Sequence, residues 1–197
     1  MSRIVTVNSV SLDGVMQAPG RPDEDTRGGF RHGGWALPYS DEVLARTMGP
    51  RMAGTGSLLL GRRTYEDFHG YWPHQPADNP FVPLLNETMK YVASTTLTEP
   101  LPWRNSTLLT GDVPRAVTAL RDRPGKDVVV LGSGALLRTL IRHDLVDEYV
   151  LLIHPLLLGA GLRLFDDGVP PAGLRLVDSV TTGTGVVLAT YRREGER

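Results

Sequence analysis

The chain of 197 residues contains no cysteine. This absence excludes disulfide bonds, thiolate metal sites, iron–sulfur clusters and a cysteine nucleophile. The five histidines show no metal-ligand spacing, and no strand-to-helix turn has the sequence of a nucleophile elbow. We therefore predict a protein with no metal site and no covalent catalysis.

The chain also lacks a strong charge of either sign and a long apolar run. Its formal net charge is −1 and its isoelectric point is near 6.5, so no basic field attracts nucleic acid or an anionic membrane. The most apolar segment, residues 149–161, is interrupted by His154 and Pro155 and is shorter than the roughly 20 residues that span a bilayer. No export signal is visible. We predict a cytoplasmic protein that binds neither nucleic acid nor membranes.

Length and composition are those of an ordinary globular domain. Hydrophobic residues make up 41% of the chain and charged residues 22%. Disordered proteins have fewer hydrophobic residues and a higher net charge, so this composition indicates a folded protein. A chain of this length buries one sizeable core. We therefore predict a single domain over residues 1–197.

Short apolar runs alternate with helical patterns along the chain. Five runs are typical of strands that are buried on both faces of a sheet: residues 4–7, 57–60, 91–93, 128–131 and 149–153. Between the later strands, Asp112 is positioned to cap one helix, and the leucines of 136–141 form the apolar face of another. This alternation predicts an α/β fold with a mostly parallel sheet.

Three segments rich in glycine or proline complete the predicted fold. Residues 181–185 separate two apolar runs, 174–177 and 186–191, which indicates an antiparallel hairpin at the C-terminal edge of the sheet. Residues 17–34 and 71–83 are rich in glycine or proline and are predicted to be loops. Their aromatic side chains offer apolar surface that packs or meets a ligand.

The first candidate binding segment is Gly61-Arg62-Arg63-Thr64, directly after the strand 57–60. A glycine turn followed by a helix start leaves unpaired N–H groups beside two guanidinium groups, which favours a bound phosphate. Thr64 and Asp67 have the spacing of a capping box. The alternative is a capped surface helix with two solvated arginines, and this segment alone does not decide between the two.

Two more strand ends carry residues suited to a nucleotide. Gly132-Ser133-Gly134-Ala135 follows a β-branched strand and opens a helix, and its glycines would let backbone approach a pyrophosphate or a nicotinamide ring. Ser94-Thr95-Thr96 ends another strand in three hydroxyl groups, which can bind ribose or phosphate oxygens. Each segment has an alternative interpretation. Residues 132–135 could form a tight turn without a ligand, and residues 94–96 an ordinary polar turn.

The order of these segments resembles a known family. Val10-Ser11-Leu12-Asp13-Gly14, then residues 60–66, then Ser94-Thr95-Thr96-Leu97, then Gly132-Ser133-Gly134 are similar to the dihydrofolate reductase-like superfamily. The segment 145–165 is similar to the reductase domain of bifunctional riboflavin deaminase-reductases. The resemblance implies a three-layer α/β/α fold, an NADPH site, and hydride transfer to a C=N or C=O bond of a small-molecule substrate.

The resemblance also implies roles for individual residues. Gly61, Arg62, Arg63 and Thr64 would face the phosphates of NADPH, and Ser94, Thr95 and Thr96 would face its adenosine 2′-phosphate end. Gly132, Ser133, Gly134 and Ala135 would line the pyrophosphate and the nicotinamide. Many relatives have arginine at the position of Thr95, and Arg62 or Arg63 is the alternative source of that charge.

On the substrate side, the resemblance places Asp13 beside the nicotinamide as the candidate catalytic residue. Its carboxylate would orient a substrate amine or relay a proton. The alternative is that Asp13 caps the turn before Gly14.

Three functions remain open from the sequence. The leading hypothesis is a reductase similar to 5-amino-6-(5-phosphoribosylamino)uracil reductase of riboflavin biosynthesis, and Arg21, Arg27 and Arg31 are its candidate ligands for a substrate phosphate. The second is a folate-type pterin reductase that uses Asp41 or Glu42 as its acid. The third is a non-catalytic NADPH-binding module. A homodimer is expected from the resemblance, and from the apolar strand 149–153 if it lies near a sheet edge.

Overall fold

The computed structural model describes residues 1–194. The chain divides into two compact units, each made of two segments: residues 1–5 with 50–146, and residues 6–49 with the segment from Asp147 onward. The prediction of a single domain stays a prediction. None of the helices in this part of the chain has an apolar stretch long enough to span a bilayer.

The described residues form eight strands and five α-helices. The strands are β1 (Ile4–Ser11), β2 (Ser57–Gly61), β3 (Met89–Ala93), β4 (Ser106–Leu109), β5 (Val128–Leu131), β6 (Glu148–His154), β7 (Leu174–Thr181) and β8 (Val187–Arg193). The helices are α1 (Glu42–Ala53), α2 (Arg62–Tyr71), α3 (Phe81–Glu87), α4 (Val113–Arg121) and α5 (Gly134–Arg142). The strand order is β4-β3-β2-β5-β1-β6-β8-β7.

The first unit contains the parallel part of the sheet. β2 pairs in parallel with β3 and with β5, and β3 pairs in parallel with β4. Leu58, Leu59 and Leu60 of β2 are at most 1% exposed, as expected of a strand covered on both faces. The predicted strands and their parallel pairing are confirmed. β3 is buried less than predicted, because Tyr91 and Ala93 are only partly buried, and strand β4 was not predicted.

The helices of the first unit follow the predicted patterns. The Asp112 carboxylate accepts a hydrogen bond from the Arg115 N–H at 3.0 Å, which caps α4 as predicted. The apolar face predicted near the start of α5 is buried, including Leu137 and Leu140 at 0% exposed. In the segment 71–83 the loop prediction was partly wrong, because α3 begins at Phe81. Pro83 is tolerated there because the N–H groups of a first helical turn have no partner within the helix.

The second unit contains the antiparallel strands. β8 pairs with β6 on one side and with β7 on the other, which confirms the predicted C-terminal hairpin. The expectation that the strand 149–153 lies near a sheet edge was wrong. β6 lies between β1 and β8, and the edge strand on that side of the sheet is β7.

The segment 17–34 is a loop, as predicted, and it is well packed. Val15, Ala18, Phe30 and Trp35 form a buried cluster in the second unit. The Trp35 indole donates to the Gln17 carbonyl at 2.7 Å, so this aromatic ring is fixed by packing and by a hydrogen bond.

Candidate functional site

The three predicted cofactor segments leave the same edge of the first unit's parallel sheet. The register pairs Gly61 of β2 with Ala93 of β3, and Leu59 of β2 with Val130 of β5. The carboxyl ends of these neighbouring strands therefore lie side by side. Turns at this edge of an open α/β sheet are the usual place for a nucleotide.

The turn between β2 and α2 differs from the predicted capping box. α2 begins at Arg62 with Gly61 as its N-cap, three residues before the N-cap that the Thr64–Asp67 spacing predicted. The Thr64 hydroxyl is not a cap, because it accepts a hydrogen bond from the Ser133 N–H at 3.1 Å. Among residues 1–194, no side chain caps the start of α2.

The turn between β5 and α5 has a left-handed backbone. Gly132 has φ +55° and Ser133 has φ +57°, and α5 begins immediately afterwards at Gly134. The Ser133 hydroxyl accepts from the Gly61 N–H at 2.8 Å and lies 3.0 Å from the Thr64 hydroxyl. These bonds hold the two turns together, which the sequence did not indicate.

In the described part of the chain, the N-cap residues of both helices therefore provide no side-chain acceptor for the first N–H groups. α4, in contrast, is capped by Asp112. The uncapped N-termini of α2 and α5 present free backbone donors and the positive end of each helix dipole to an anion.

The two candidate arginines differ in their surroundings. The Arg62 guanidinium lies 3.0 Å from the Glu66 carboxylate one turn later, so part of its charge is neutralised. Arg63 is exposed, and within residues 1–194 its guanidinium has no ion-pair or hydrogen-bond partner. Arg63 is the better placed of the two to bind an external phosphate.

Ser94, Thr95 and Thr96 follow β3 at the same edge. The Ser94 hydroxyl accepts from the N–H groups of Thr96 at 3.1 Å and Leu97 at 3.0 Å, which fixes the turn. Thr95 and Thr96 are exposed. These three residues follow a strand, as predicted. Their binding of a 2′-phosphate stays a prediction.

A fourth strand end at this edge was missed. β4 pairs with β3 so that Leu109 lies beside Ala93, and Gly111 follows it with φ +75°. The glycine directly before the helix-capping Asp112 was the available signal. It was overlooked because the short strand before it was not predicted.

In the second unit, Asp13 is held by hydrogen bonds. Its carboxylate accepts from the Ser11 hydroxyl at 2.6 Å and from the N–H groups of Leu158 at 3.1 Å and Gly159 at 2.8 Å. The Ser11 bond is the main cause that lowers the pKa of Asp13 to about 2. The carboxyl group is therefore ionised near neutral pH. Its predicted catalytic role stays a prediction.

The alternative acids Asp41 and Glu42 lie at the start of α1. Asp41 accepts from the Leu44 N–H at 2.8 Å and from the Thr184 N–H at 3.2 Å. These backbone donors, that of Leu44 above all, lower the pKa of Asp41. Asp41 therefore caps α1 and anchors the β7–β8 loop, and Glu42 is exposed.

An aromatic group surrounds His154 at the end of β6. The His154 ring is 1% exposed and makes edge contacts with Trp35 at 5.1 Å and Tyr39 at 5.6 Å between centroids. Its Nδ1 lies 2.9 Å from the Leu152 carbonyl. Burial lowers the pKa of His154. The neutral ring is therefore favoured, and it packs as part of this cluster.

The arginines proposed for a substrate phosphate are partly brought together. Arg27 and Arg31 line one pocket of about 370 Å³ in the second unit. Arg21 does not line that pocket, and its guanidinium lies 3.6 Å from the Asp23 carboxylate.

Comparisons with known proteins agree with this architecture. YyaP of Bacillus subtilis (strain 168), an uncharacterized protein, is 32% identical over 143 residues, which are 71% of this chain and 74% of YyaP. A Shewanella sp. PV-4 protein with a proposed role in riboflavin biosynthesis superposes with a TM-score of 0.67 at 21% identity, covering 98% of this chain and 99% of that one.

The dihydrofolate reductase of Enterococcus faecalis, solved in complex with NADP(H), superposes with a TM-score of 0.58 at 14% identity and covers 98% of this chain and 96% of the enzyme. This likeness confirms the predicted dihydrofolate reductase-like α/β fold. The family model of the RibD C-terminal domain matches residues 3–188. The chain therefore belongs to the RibD C-terminal domain family, a family of reductases.

Proposed function

We propose that this protein is an NADPH-dependent reductase that transfers a hydride to a C=N or C=O bond of a small heterocyclic or ribosylamino substrate. The observation that carries the proposal is the pair of uncapped helix N-termini, those of α2 and α5, at one edge of the parallel sheet. Free N–H groups, two helix dipoles and the unpaired Arg63 suit the phosphates of a dinucleotide.

The residues at this edge fit the cofactor in type and placement. The N–H groups that follow Gly61 and Ser133 would bind the phosphates, and Ser94, Thr95 and Thr96 would bind the adenosine end. When bound, NADPH supplies the hydride, so the protein contributes alignment and exclusion of water. The Ser133 hydroxyl holds both turns in place through its bonds to Gly61 and Thr64.

Asp13 has a limited role in this proposal. With its pKa at about 2, the carboxyl group has no proton to donate near neutral pH. An ionised carboxylate can still accept a hydrogen bond from a substrate amine and so orient the substrate. Its bonds to Leu158 and Gly159 also fix the loop after β6. We therefore propose that Asp13 orients the substrate and that the transferred proton comes from elsewhere.

A folate-type reductase is less well supported. That function needs an acid near α1, and backbone donors already occupy the Asp41 carboxylate and lower its pKa. Glu42 is exposed at the first turn of the helix, where an acidic residue is favoured for the helix dipole alone. Turnover of dihydrofolate that is lost on changing Glu42 would restore this alternative.

Thermal unfolding with and without cofactor tests the proposal. A ligand that binds only the folded state raises the midpoint temperature of unfolding. At a concentration of 100 times its dissociation constant, it adds about 2.7 kcal/mol to the free energy of unfolding. We expect NADPH to raise the midpoint more than NADH at equal concentration. Absorbance at the nicotinamide band, followed with candidate substrates, then separates a reductase from a non-catalytic binding module. No shift with either cofactor would overturn the proposal.

Arg63 should discriminate between the two cofactors. Arg63→Gln is expected to weaken NADPH binding by about tenfold, because a charge-assisted contact to phosphate is lost. Arg62→Gln is the matched control, and its effect should be smaller because Glu66 already pairs with Arg62. Calorimetric titration measures both. If Arg63→Gln lowered the affinity for NADPH and for NADH equally, Arg63 would not contact the 2′-phosphate, which only NADPH carries.

We also propose that the protein is a homodimer that covers the edge strand β7. Leu176 of this strand is 50% exposed and Val177 is 38% exposed. A second copy of the chain, related by a two-fold axis, would cover both apolar residues.

The dimer surface is tested by Leu176→Asp. Burying an aspartate at the interface would leave an unpaired charge, so this variant should sediment as a monomer while the wild type sediments as a dimer. Leu37→Asp is the control, since Leu37 is 55% exposed and lies outside β7 and β8. A monomeric wild type would contradict the dimer, and a dimeric Leu176→Asp would place its interface elsewhere.

A further inference from the structure

The sequence contains the dipeptide Asp-Gly twice, at residues 13–14 and at residues 167–168. In this dipeptide the backbone nitrogen of the glycine can attack the side-chain carboxyl carbon of the aspartate, because glycine has no Cβ to obstruct the approach. Both dipeptides lie in the second unit. They share one chemistry, so a difference in their reactivity must come from their surroundings.

Hydrogen bonds hold both reacting groups of Asp13-Gly14. The Asp13 carboxylate accepts from the Ser11 hydroxyl at 2.6 Å and from the N–H groups of Leu158 at 3.1 Å and Gly159 at 2.8 Å. The Gly14 N–H donates to the Ser11 carbonyl at 2.9 Å. Since the pKa of Asp13 is lowered to about 2, its carboxyl group also spends little time in the protonated form, which is the better electrophile. The fold therefore opposes attack at this dipeptide.

The surroundings of Asp167-Gly168 are different. Asp166, Asp167 and Gly168 are all exposed. Within residues 1–194, neither the Asp167 carboxylate nor the Gly168 N–H has a hydrogen-bond partner. The turn is closed by a bond from the Val169 N–H to the Asp166 carbonyl at 3.3 Å, which is longer than the usual distance of about 2.9 Å. Attack at this dipeptide breaks no bond to either reacting group.

We propose that Asp167-Gly168 is a site of isoaspartate formation in the folded protein, and that the same dipeptide at residues 13–14 is protected by its hydrogen bonds. The Gly168 nitrogen bonds to the Asp167 Cγ, and the nitrogen's proton leaves with the carboxyl hydroxyl as water. The product is a five-membered succinimide. Water then adds to the main-chain carbonyl carbon of Asp167 and breaks its bond to the Gly168 nitrogen. The water lost is regained, and no oxidant or reductant takes part.

The reaction lengthens the backbone by one carbon, which now runs through the Asp167 Cγ. The segment before the site is anchored, because Leu164 is buried and its N–H donates to the Gly14 carbonyl at 3.0 Å. The segment after it enters β7 only at Leu174. An exposed turn between these two points can take the extra carbon without moving a buried side chain. We therefore expect the modified protein to unfold at the same temperature as the unmodified protein.

Peptide mapping in water labelled with heavy oxygen tests the proposal. Each opening of a succinimide places one heavy oxygen atom in the product. The folded protein is incubated near neutral pH and sampled over time, and each sample is digested in ordinary water. Trypsin separates the two sites, because it releases residues 4–27 and residues 164–175 as different peptides.

We expect the peptide 164–175 to gain heavy oxygen and an isoaspartyl form. The peptide 4–27 should gain them at least ~10-fold more slowly, because its reacting groups must first leave their hydrogen bonds. In urea, where those bonds are lost, the two peptides should be labelled at similar rates. Equal rates in the folded protein would overturn the proposal. A difference that persists in urea would show that local sequence protects residues 13–14, and the protective role of the fold would be wrong.

Two variants locate the modification. Asp167→Glu keeps the charge but requires a six-membered ring, which closes more slowly, so labelling of the peptide 164–175 should be lost. Asp166→Glu is the matched control, and its labelling should equal that of the wild type. Labelling that continues in Asp167→Glu would place the reaction at another residue and contradict the proposal. None of these measurements uses NADPH or a substrate, so their outcome is independent of the proposed function.

Discussion

Replacing Lys90 with methionine is expected to lower the free energy of unfolding by about 2–4 kcal/mol. Lys90 is fully buried in β3, and its ammonium group donates to the carbonyls of Leu85 at 2.8 Å, Asn86 at 3.3 Å and Thr88 at 2.7 Å. Methionine fills the space of the stem but leaves these carbonyls without that donor. Each buried acceptor that loses its partner costs about 1–3 kcal/mol, and relief of ammonium burial offsets part of the total.

The contacts of Lys90 extend to α2. Its ammonium lies 4.4 Å from the centre of the Trp103 ring, a cation–π distance. The Trp103 indole donates to the Asn86 side chain at 2.7 Å, and the Trp103 N–H donates to the Tyr65 hydroxyl at 3.0 Å. Since Tyr65 lies in the first turns of α2, loss of the ammonium should also loosen the helix that carries Arg62 and Arg63.

The pH dependence of stability provides a second readout. Burial lowers the pKa of Lys90 from 10.5 to about 8. Between these two values the unfolded chain binds more protons than the folded chain, so the free energy of unfolding should rise with pH in the wild type. Lys90→Met should lack this part of the rise, and below about pH 8 the two curves should run parallel.

Lys126 offers a matched control, since it is the other lysine of the chain and is exposed. Urea unfolding of Lys126→Met should match the wild type within about 0.5 kcal/mol. Equal stability of Lys90→Met and Lys126→Met would show that the carbonyls find other donors, and the structural role given to Lys90 would be wrong.

The parts of the fold that were predicted correctly depend on local patterns. Buried strands such as β2 and β5 are continuous apolar runs. The Asp112 cap is also local, because its partner is the N–H of Arg115, three residues later. β4 was missed because Thr107 is exposed and its neighbours are only half-buried, so the strand has no apolar run. Its place in the sheet depends on pairing with β3, which no local pattern shows.

The candidate site was predicted in outline, and its errors come from contacts distant in sequence. The Thr64 hydroxyl had the spacing of a cap, but Ser133, 69 residues away, occupies it. Asp13 was predicted as catalytic or turn-capping, and its strongest constraints include Gly159, 146 residues away. Residue type and spacing indicated which segments matter. The hydrogen-bond partners of these side chains are distant in sequence, so they could be identified only from the three-dimensional structure.

Ser133→Ala is expected to weaken NADPH binding by about 100-fold. The Ser133 hydroxyl accepts from the Gly61 N–H at 2.8 Å and contacts Thr64 at 3.0 Å, so its removal leaves the Ser133 N–H bond to Thr64 and loosens the link between the two turns. Phosphate donors from both turns then lose their alignment, and two such contacts of about 1.4 kcal/mol each account for the factor. Stability should fall by about 1–2 kcal/mol, since the Gly61 N–H loses its acceptor.

The left-handed backbone at Ser133 allows geometry and hydrogen bonding to be separated. Ser133→Gly removes the same hydroxyl, but glycine adopts φ +57° at no cost, so this variant should be more stable than Ser133→Ala by about 1 kcal/mol. If the hydroxyl bonds align the turns, both variants bind NADPH equally poorly despite that difference. If backbone conformation alone matters, Ser133→Gly should bind like the wild type.

Thr139→Ala completes the comparison, because it removes a hydroxyl from α5 that donates to a carbonyl of the same helix, that of Ala135, at 3.2 Å. We expect its NADPH affinity to equal that of the wild type. A loss as large as that of Ser133→Ala would mean that any change in α5 disturbs the cofactor. Losses confined to Ser133 would instead assign NADPH to the paired turns, because the Ser133 hydroxyl contacts the starts of both α2 and α5.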